Sequence, residues 1–374
     1  MPVIVPIMAA MLWDIFCRVI DNFGDIGVCW RLSADLASRG HRVRLWIDDP
    51  SALCWMAPGQ SQVEVYDWNQ AASTPVSPGD VVIEAFGCNP PDAFVSGMQR
   101  ALPPVWINLE YLSAEDYVER SHGLRSPVGS GPGAGLQKWF FYPGFTSKTG
   151  GLLREPDLIS RRDAFLAHPA ARDAWLQSIG VDTEPDRQYV SVFCYDSAPL
   201  DRWLSCLVDK PVTVLLTPGP STRLARQWQA TRTGSIGALR LHELPHLPQR
   251  EFDFLLWSCD LNLVRGEDSA VRALWAARPH VWQIYEQDDG VHADKLDAFM
   301  ARWMDQWPSE LAEQVRCIWR SWNGLNSDDA PLSDLLNLAV KQVEWGHFSQ
   351  LASQKLANQV DLTTQLIEFV TRPR

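Results

Sequence analysis

Two aspartates, Asp21 and Asp25, stand four residues apart in "DNFGDIG" (21–27), with Gly24 between them and Gly27 just behind. A glycine loop that opens a helix ordinarily cradles phosphate through free backbone N–H groups. Two extra negative charges work against a phosphate, so this loop is read as facing something other than an anion. A second loop, "VRGEDSAV" (264–271), has the opposite makeup. Arg265 supplies a planar cation able to grip phosphate, and Ser269 is expected to cap a helix that begins near Ala270. The N–H groups behind that cap form an anion site, and Glu267 offers a carboxylate to sugar hydroxyls. Each of these residues also fits a local role. Asp25 suits the N-cap of a helix over 28–38, Asp21 an Asx turn, and Asp268 or Ser269 a plain helix cap. The common nucleotide signatures are missing: there is no G-x-x-x-x-G-K-[ST], and Gly24-Asp25-Ile26-Gly27 is not G-x-G-x-x-G.

Strands must end at these loops and helices must start from them. "LWDIFCRVI" (12–20) reads as a strand, 28–38 as a helix, and Gly40 as its stop. Further strands are expected at 41–48, 63–67, 80–86 and 104–109, then a glycine-rich loop at 126–135 ahead of the aromatic "KWFFYPGF" (138–145). A second series runs strand 188–195, helix 200–208, strand 211–219, helix 221–231, strand 239–245, helix 249–258, strand 260–269, helix 270–277 and strand 280–287. Beyond residue 292 the pattern is helical, and the last helix, 351–370, is expected to pack back on the first half. This rhythm is that of parallel sheets wrapped by helices. It divides the chain into a first domain, 1–183 with the segment 351–374, and a second domain, 184–350, with a hinge region over 150–187. Two such halves imply a cleft lined by the carboxyl ends of both sets of strands.

Composition narrows the partners. The 374 residues carry 45 acidic against 33 basic side chains, a net charge of −12, which argues against nucleic acid and against an acidic membrane surface. No apolar stretch is long enough to span a bilayer, and the prolines in "MPVIVPIMAA" with no basic residue argue against a secretory signal. Those ten residues read as an extension ahead of the first strand. The eight cysteines never pair as C-x-x-C, and the scattered histidines lack metal spacing, so a reduced cytoplasmic protein without a metal or other cofactor is expected.

Several long blocks then carry a specific likeness. "DNFGDIGVCWRLSADL", "WINLEYLSAEDYVE", "KWFFYPGFTSKTGGLLRE", "VSVFCYD" and "RGEDS" followed by "VWQIYEQDDGVHADKLDAF" resemble the EarP family of bacterial protein-arginine rhamnosyltransferases. The resemblance implies a GT-B fold, two Rossmann-like domains facing each other across a cleft. It also implies inverting transfer of L-rhamnose from dTDP-β-L-rhamnose to the guanidinium of one arginine of elongation factor P. By motif, Asp25 resembles the general base and Asp21 its paired aspartate. Arg265, Glu267, Asp268 and Ser269 match the donor-binding block, with Glu267 also counted among the catalytic residues. Gln249 and Phe252 resemble residues that meet thymine, and Phe193 and Tyr195 line the same pocket. Asn22, Phe23 and Gly24, between the two acids, are assigned to the donor as well.

The chemistry agrees with that implication. A guanidinium is a poor nucleophile, and its full deprotonation at neutral pH would cost about 8 kcal/mol. Two carboxylates can instead hold the cation while one takes the proton as the N–C bond forms. Arg265 and a helix N-terminus would meet the leaving diphosphate in place of a metal. Phe193, Tyr195 and Phe252 could equally be core aromatics, and Glu110 and Tyr111 are candidates for touching the acceptor protein. The glycines of "PGFTSKTGG" (143–151) either admit a sugar to the backbone or form a plain turn. Two other classes stay open: a metal-independent GT-B enzyme with a hydroxyl acceptor, which needs one base and no paired clamp, and a non-catalytic nucleotide-binding α/β protein.

Overall fold

The computed structural model describes residues 10–20, 23–59, 62–286, 290–326, 330–341 and 343–372. The chain forms two compact units, one built from the chain up to Arg154 together with the segment from Val360, the other from Glu155–Gln359. The division expected after residue 183 is therefore corrected, and residues 155–183 belong to the second unit.

The first unit contains β1 (Leu12–Cys17), α1 (Gly24–Ser38), β2 (Arg42–Ile47), α2 (Leu53–Met56), β3 (Glu64–Asp67) and α3 (Trp68–Ser73). It continues with β4 (Val81–Ala85), α4 (Asp92–Gly97), β5 (Val105–Leu109), α5 (Tyr117–Ser121), β6 (Arg125–Pro127) and β7 (Gln137–Phe141). Its sheet has the order β3-β2-β1-β4-β5-β7-β6, parallel throughout except for the antiparallel pairing of β6 with β7. Successive residues of a strand face opposite sides, and β1 buries both faces. Trp13, Ile15 and Cys17 meet Ile26, Cys29 and Leu32 of α1, while Phe16 joins Trp46, Trp68 and Phe94 on the other side. Gly40 ends α1 as expected: at φ +91° it donates to the Ala37 carbonyl, and His41 reaches the Leu36 carbonyl. The stretch 126–135 and the aromatic run after it were not expected to add strands. They form the edge hairpin β6–β7, because Phe141 buries against the main core while Lys138 pairs with Glu84.

The second unit opens with α6 (Leu158–Leu166) and α7 (Pro169–Ser178) where a hinge was expected. Their apolar residues claim them for this unit: Phe165 packs on Phe254 and Trp257, and Leu176 joins Tyr189 and Leu255. Then follow β8 (Gln188–Val192), α8 (Leu200–Cys206), β9 (Val212–Leu216), α9 (Pro220–Thr231), β10 (Arg240–Glu243) and α10 (Gln249–Ser258). The unit closes with β11 (Leu261–Arg265), α11 (Glu267–Ala276), β12 (His280–Gln283), α12 (Val291–Trp303), α13 (Ser309–Trp322), α14 (Ala330–Lys341) and α15 (Val343–Ala357). The sheet order is β10-β9-β8-β11-β12, all parallel. Each sheet thus has its first strand beside its fourth, the point at which α/β sheets bind ligands beyond the strand ends.

The helix expected over 351–370 is two helices. Residues up to Ala357 belong to α15 in the second unit, and α16 (Leu362–Thr371) belongs to the first. Asp361 makes the break by capping α16, its side chain accepting from Thr364 N at 2.9 Å. Leu362, Leu366 and Ile367 then enter the core formed by β1 and α1, and Phe369 stands edge-on to Trp139 and Phe141. Among the described residues no helix is long and apolar enough to cross a membrane.

Candidate functional site

In the second unit, β11 ends on Arg265, opposite Gln283 of β12, while its other neighbour β8 runs out into Phe193 and Tyr195. Phe193 N donates to Leu263 O at 2.8 Å, so the outgoing chain continues the strand for one more residue. The Arg265 guanidinium carbon lies 4.4 Å from the Phe193 ring centre and 4.5 Å from that of Tyr195. Two aromatic faces hold a cation whose residue is only 4% exposed. Gln283 fixes the turn that carries Tyr195: its Oε1 accepts from Tyr195 N at 2.8 Å and its Nε2 donates to Ser197 Oγ at 3.3 Å. Phe252, on the first turn of α10, stands edge-on to Phe193 with ring centres 6.0 Å apart, and Gln249 begins the same helix. Phe252 also packs partly against the core around Leu176 and Leu255.

Gly266 caps α11 with φ +69° and ψ 177°, and the helix starts at Glu267. The expectation that Ser269 caps a helix from Ala270 is overturned. A glycine makes the non-helical turn without a side chain, and the acids Glu267 and Asp268 occupy the first turn, where the helix dipole favours them. Ser269 lies inside the helix and its hydroxyl donates to the Arg265 carbonyl, so it holds the strand end in place. The structure therefore brings together Phe193, Tyr195, Phe252, Arg265 and Ser269, with Gln249, Glu267 and Asp268 at the adjoining helix starts. Sequence reasoning missed two members, Gln283 and Tyr285, the latter 53% exposed and edge-on to Tyr195 at 5.6 Å. Their signal was a strand run and their place in "VWQIYEQDDGVHADKLDAF", a block that carries the family likeness. Cys194, between the two rings, is no nucleophile: burial pushes its thiol up to about 11.

In the first unit, Asp21 and Asn22 lie outside the described residues. The helix begins four residues earlier than expected, at Gly24, with Phe23 as the N-cap residue and its ring edge-on to Trp55 at 5.1 Å. Asp25 is thus not an N-cap. It is the second residue of α1, 4% exposed, and its Oδ2 accepts from Ile20 N at 2.8 Å, which ties the helix start to the segment that follows β1. The first turn of a helix favours a carboxylate there. Nearby, a hydrogen bond to Cys17 and burial push the Cys29 thiol well up, with the charges of Cys17, Asp25 and Cys88 acting the same way.

Of the two residues proposed to touch a protein, Tyr111 is 38% exposed and stacks on Phe86 at 4.4 Å, whereas Glu110 is half-buried and accepts from Asn108 Nδ2 at 2.7 Å. Burial, then the charge of Glu84, raises the pKa of Glu110. The glycines of 143–151 serve packing within the unit. A Cβ on Gly150 would lie 2.4 Å from Phe141, and one on Gly151 would lie 2.5 Å from the Val360 carbonyl.

Comparison with known proteins gives the family. The family model described as elongation factor P rhamnosyltransferase EarP matches residues 13–371. A protein-arginine rhamnosyltransferase of Pseudomonas putida is 44% identical over 376 residues, covering 96% of this chain and 98% of that one. A solved structure concerned with EarP-mediated arginine glycosylation of translation elongation factor EF-P is 33% identical, with a TM-score of 0.68 over 96% of this chain and 98% of that one. The glycosyltransferase VinC, solved with dTDP, shares the fold alone, at 11% identity and a TM-score of 0.52 over 96% of this chain and 98% of that one. The match extends from β1, through the span that holds both sheets, onto α16, the helix that closes the first unit, and so the chain belongs to the EarP family of elongation factor P rhamnosyltransferases.

Proposed function

We propose that this chain transfers L-rhamnose from dTDP-β-L-rhamnose to a guanidinium nitrogen of one arginine of elongation factor P, with inversion at the anomeric carbon. Family membership supports the sugar and the acceptor. The observation that carries the donor half is the Arg265 guanidinium laid against Phe193 and Tyr195 at the start of α11. Rings on a guanidinium fix its rotamer before any ligand arrives, so less entropy is lost when it meets a diphosphate. Phe252 gives the thymine ring an apolar wall, and Gln249 an amide for its polar edge. Glu267 and Asp268 take sugar hydroxyls, while Ser269 acts through the Arg265 carbonyl.

In the reaction, a guanidinium nitrogen of the acceptor attacks the anomeric carbon as the bond from that carbon to the β-phosphate oxygen breaks. The electron pair leaves with dTDP, whose charge is met by Arg265 and the N–H groups at the head of α11. The proton on the attacking nitrogen passes to Asp25, which the Ile20 N–H holds in one orientation. Asp21 holds the remaining charge of the acceptor. Attack opposite the leaving group turns the β-linked donor into an α-linked product. With this charge set aimed at the diphosphate, the step runs without a metal, and a chelator should leave turnover unchanged. A translation factor as acceptor puts the chain in the cytoplasm, with no nucleic-acid or membrane partner.

Mass spectrometry of elongation factor P after incubation with this chain and dTDP-rhamnose tests the reading. A gain of about 146 Da on one arginine is the expected product of a single deoxyhexosyl transfer. An unmodified factor defeats it, and NMR of the product's anomeric centre decides inversion.

A further inference from the structure

The head of α11 carries an electrostatic conflict. Glu267 and Asp268 fill its first turn, where the donor diphosphate is proposed to bind, and like charges there repel. One turn further on stands Arg272, 2% exposed. Its Nε donates to Asp253 Oδ1 and its Nη2 to Asp253 Oδ2, both at 2.7 Å, while its Nη1 donates to Glu155 Oε2, also at 2.7 Å. Asp253 is 1% exposed and directly follows Phe252 on α10. Arg272 follows Asp268 by four residues, which puts both on one face of α11. A single guanidinium thus joins the helix bearing Gln249 and Phe252 to the helix bearing Glu267 and Asp268.

An apolar pair of equal volume would pack two helices at least as well, because burying an ion pair costs about as much as its attraction returns. A buried cation here calls for another use. Burial opposes its charge, but the charges of Asp253 and Glu155 outweigh that, Asp268 adds to them, and Arg272 stays a cation more firmly than an exposed arginine.

We propose that Arg272 is a positioning residue for the donor: its fork sets α10 against α11, and its charge offsets Asp268 so that the head of α11 accepts a diphosphate. The proposal rests on the second unit being the dTDP site. Its signature is a dependence on ligand charge, which a purely mechanical clamp would not have. Glu155 draws on the same cation through Nη1, so removing its charge strengthens the field that reaches the diphosphate.

Calorimetry on the full chain with thymidine, dTMP and dTDP reads this out as the ratio of dTDP to thymidine affinity. Arg272→Met should lower the ratio by about tenfold or more, with dTMP between, as expected for losing a charge in a poorly solvated setting. Glu155→Gln changes a partly exposed side chain, and should raise the ratio by about two- to threefold. Arg272→Lys keeps the charge without the fork, and should hold the ratio within about threefold while all three ligands weaken together. Equal loss for the three ligands in Arg272→Met, or an unchanged or lower ratio in Glu155→Gln, overturns the proposal. Should Arg272→Met not fold, Glu155→Gln decides alone. A wild-type chain that binds dTDP no better than thymidine removes the donor site itself, an outcome distinct from a normal wild-type ratio that the variants leave unmoved.

Discussion

Arg265 ends a strand beneath two rings, and that placement sets what its loss should do. Arg265→Ala is expected to weaken dTDP binding by about 1.5–3 kcal/mol, the usual worth of a hydrogen bond to a charged group. Calorimetry finding the wild-type affinity would take this residue off the diphosphate. Asp25→Asn keeps an acceptor for the Ile20 N–H and nearly the same shape, so the variant should fold and bind dTDP-rhamnose yet lose about 10²-fold or more in turnover. Full activity in that variant would leave Asp25 a loop tie and nothing more. Arg265 was legible in the sequence as a cation beside a helix start, whereas Phe193 and Tyr195 came only with the family likeness, because alternating aromatics on a strand suit a core equally well. Gln283 was not legible, since its partner Tyr195 N lies 88 residues away and the β8–β11 and β11–β12 registers together bring them close. The role expected of Ser269 was misplaced because cap preference favours serine, while a glycine one step past the strand had already made the turn.

At the scale of elements, the strands and helices around the two loops were readable because buried parallel strands are short apolar runs and Gly40 stops α1 by a backbone conformation of its own. The β6–β7 hairpin was hidden by its glycines, and α6 and α7 by the prolines around them. Gly151 was read as a turn or a sugar contact, yet its need is steric. It has φ +72°, and an added Cβ would meet the Val360 carbonyl at 2.5 Å and Gln365 Nε2 at 2.7 Å. Gly151→Ala should therefore destabilise the first unit by about 1–3 kcal/mol in chemical denaturation. In the second unit, His280 of β12 lies edge-on to Trp303 and Trp319 and donates from Nδ1 to the Arg278 carbonyl. Burial holds it down to about 4, below the ordinary 6.5. Between those values the unfolded chain binds a proton that the folded chain refuses. Stability contributed at this site is thus complete above the ordinary value and falls as the pH drops towards 4. The loss amounts to about 3 kcal/mol, and His280→Gln should flatten that part of the stability curve.

For the whole molecule, two parallel sheets were foreseeable from two strand–helix series, but the place where one unit gives way to the other was not. Residue types around 150–187 signal breaks, whereas ownership of α6, α7 and α16 is decided by which core their few apolar residues reach. If each unit melts by itself and the donor binds only to the second, dTDP should raise one thermal transition and leave the other in place. A shift of both by scanning calorimetry would refute donor binding confined to Glu155–Gln359. The return of α16 to the first unit also governs how the protein is made. The strands of that unit leave the ribosome early, but Leu362, Leu366 and Ile367, which complete their core, follow only after all of Glu155–Gln359. At about 5–20 residues per second that wait is about 10 to 40 s. Throughout it the nascent first unit shows water an unfinished apolar face, and the second unit receives its last residues just before that face can be covered. A message that stalls shortly before residue 360 would release a chain whose younger half is folded and whose older half still calls on chaperones.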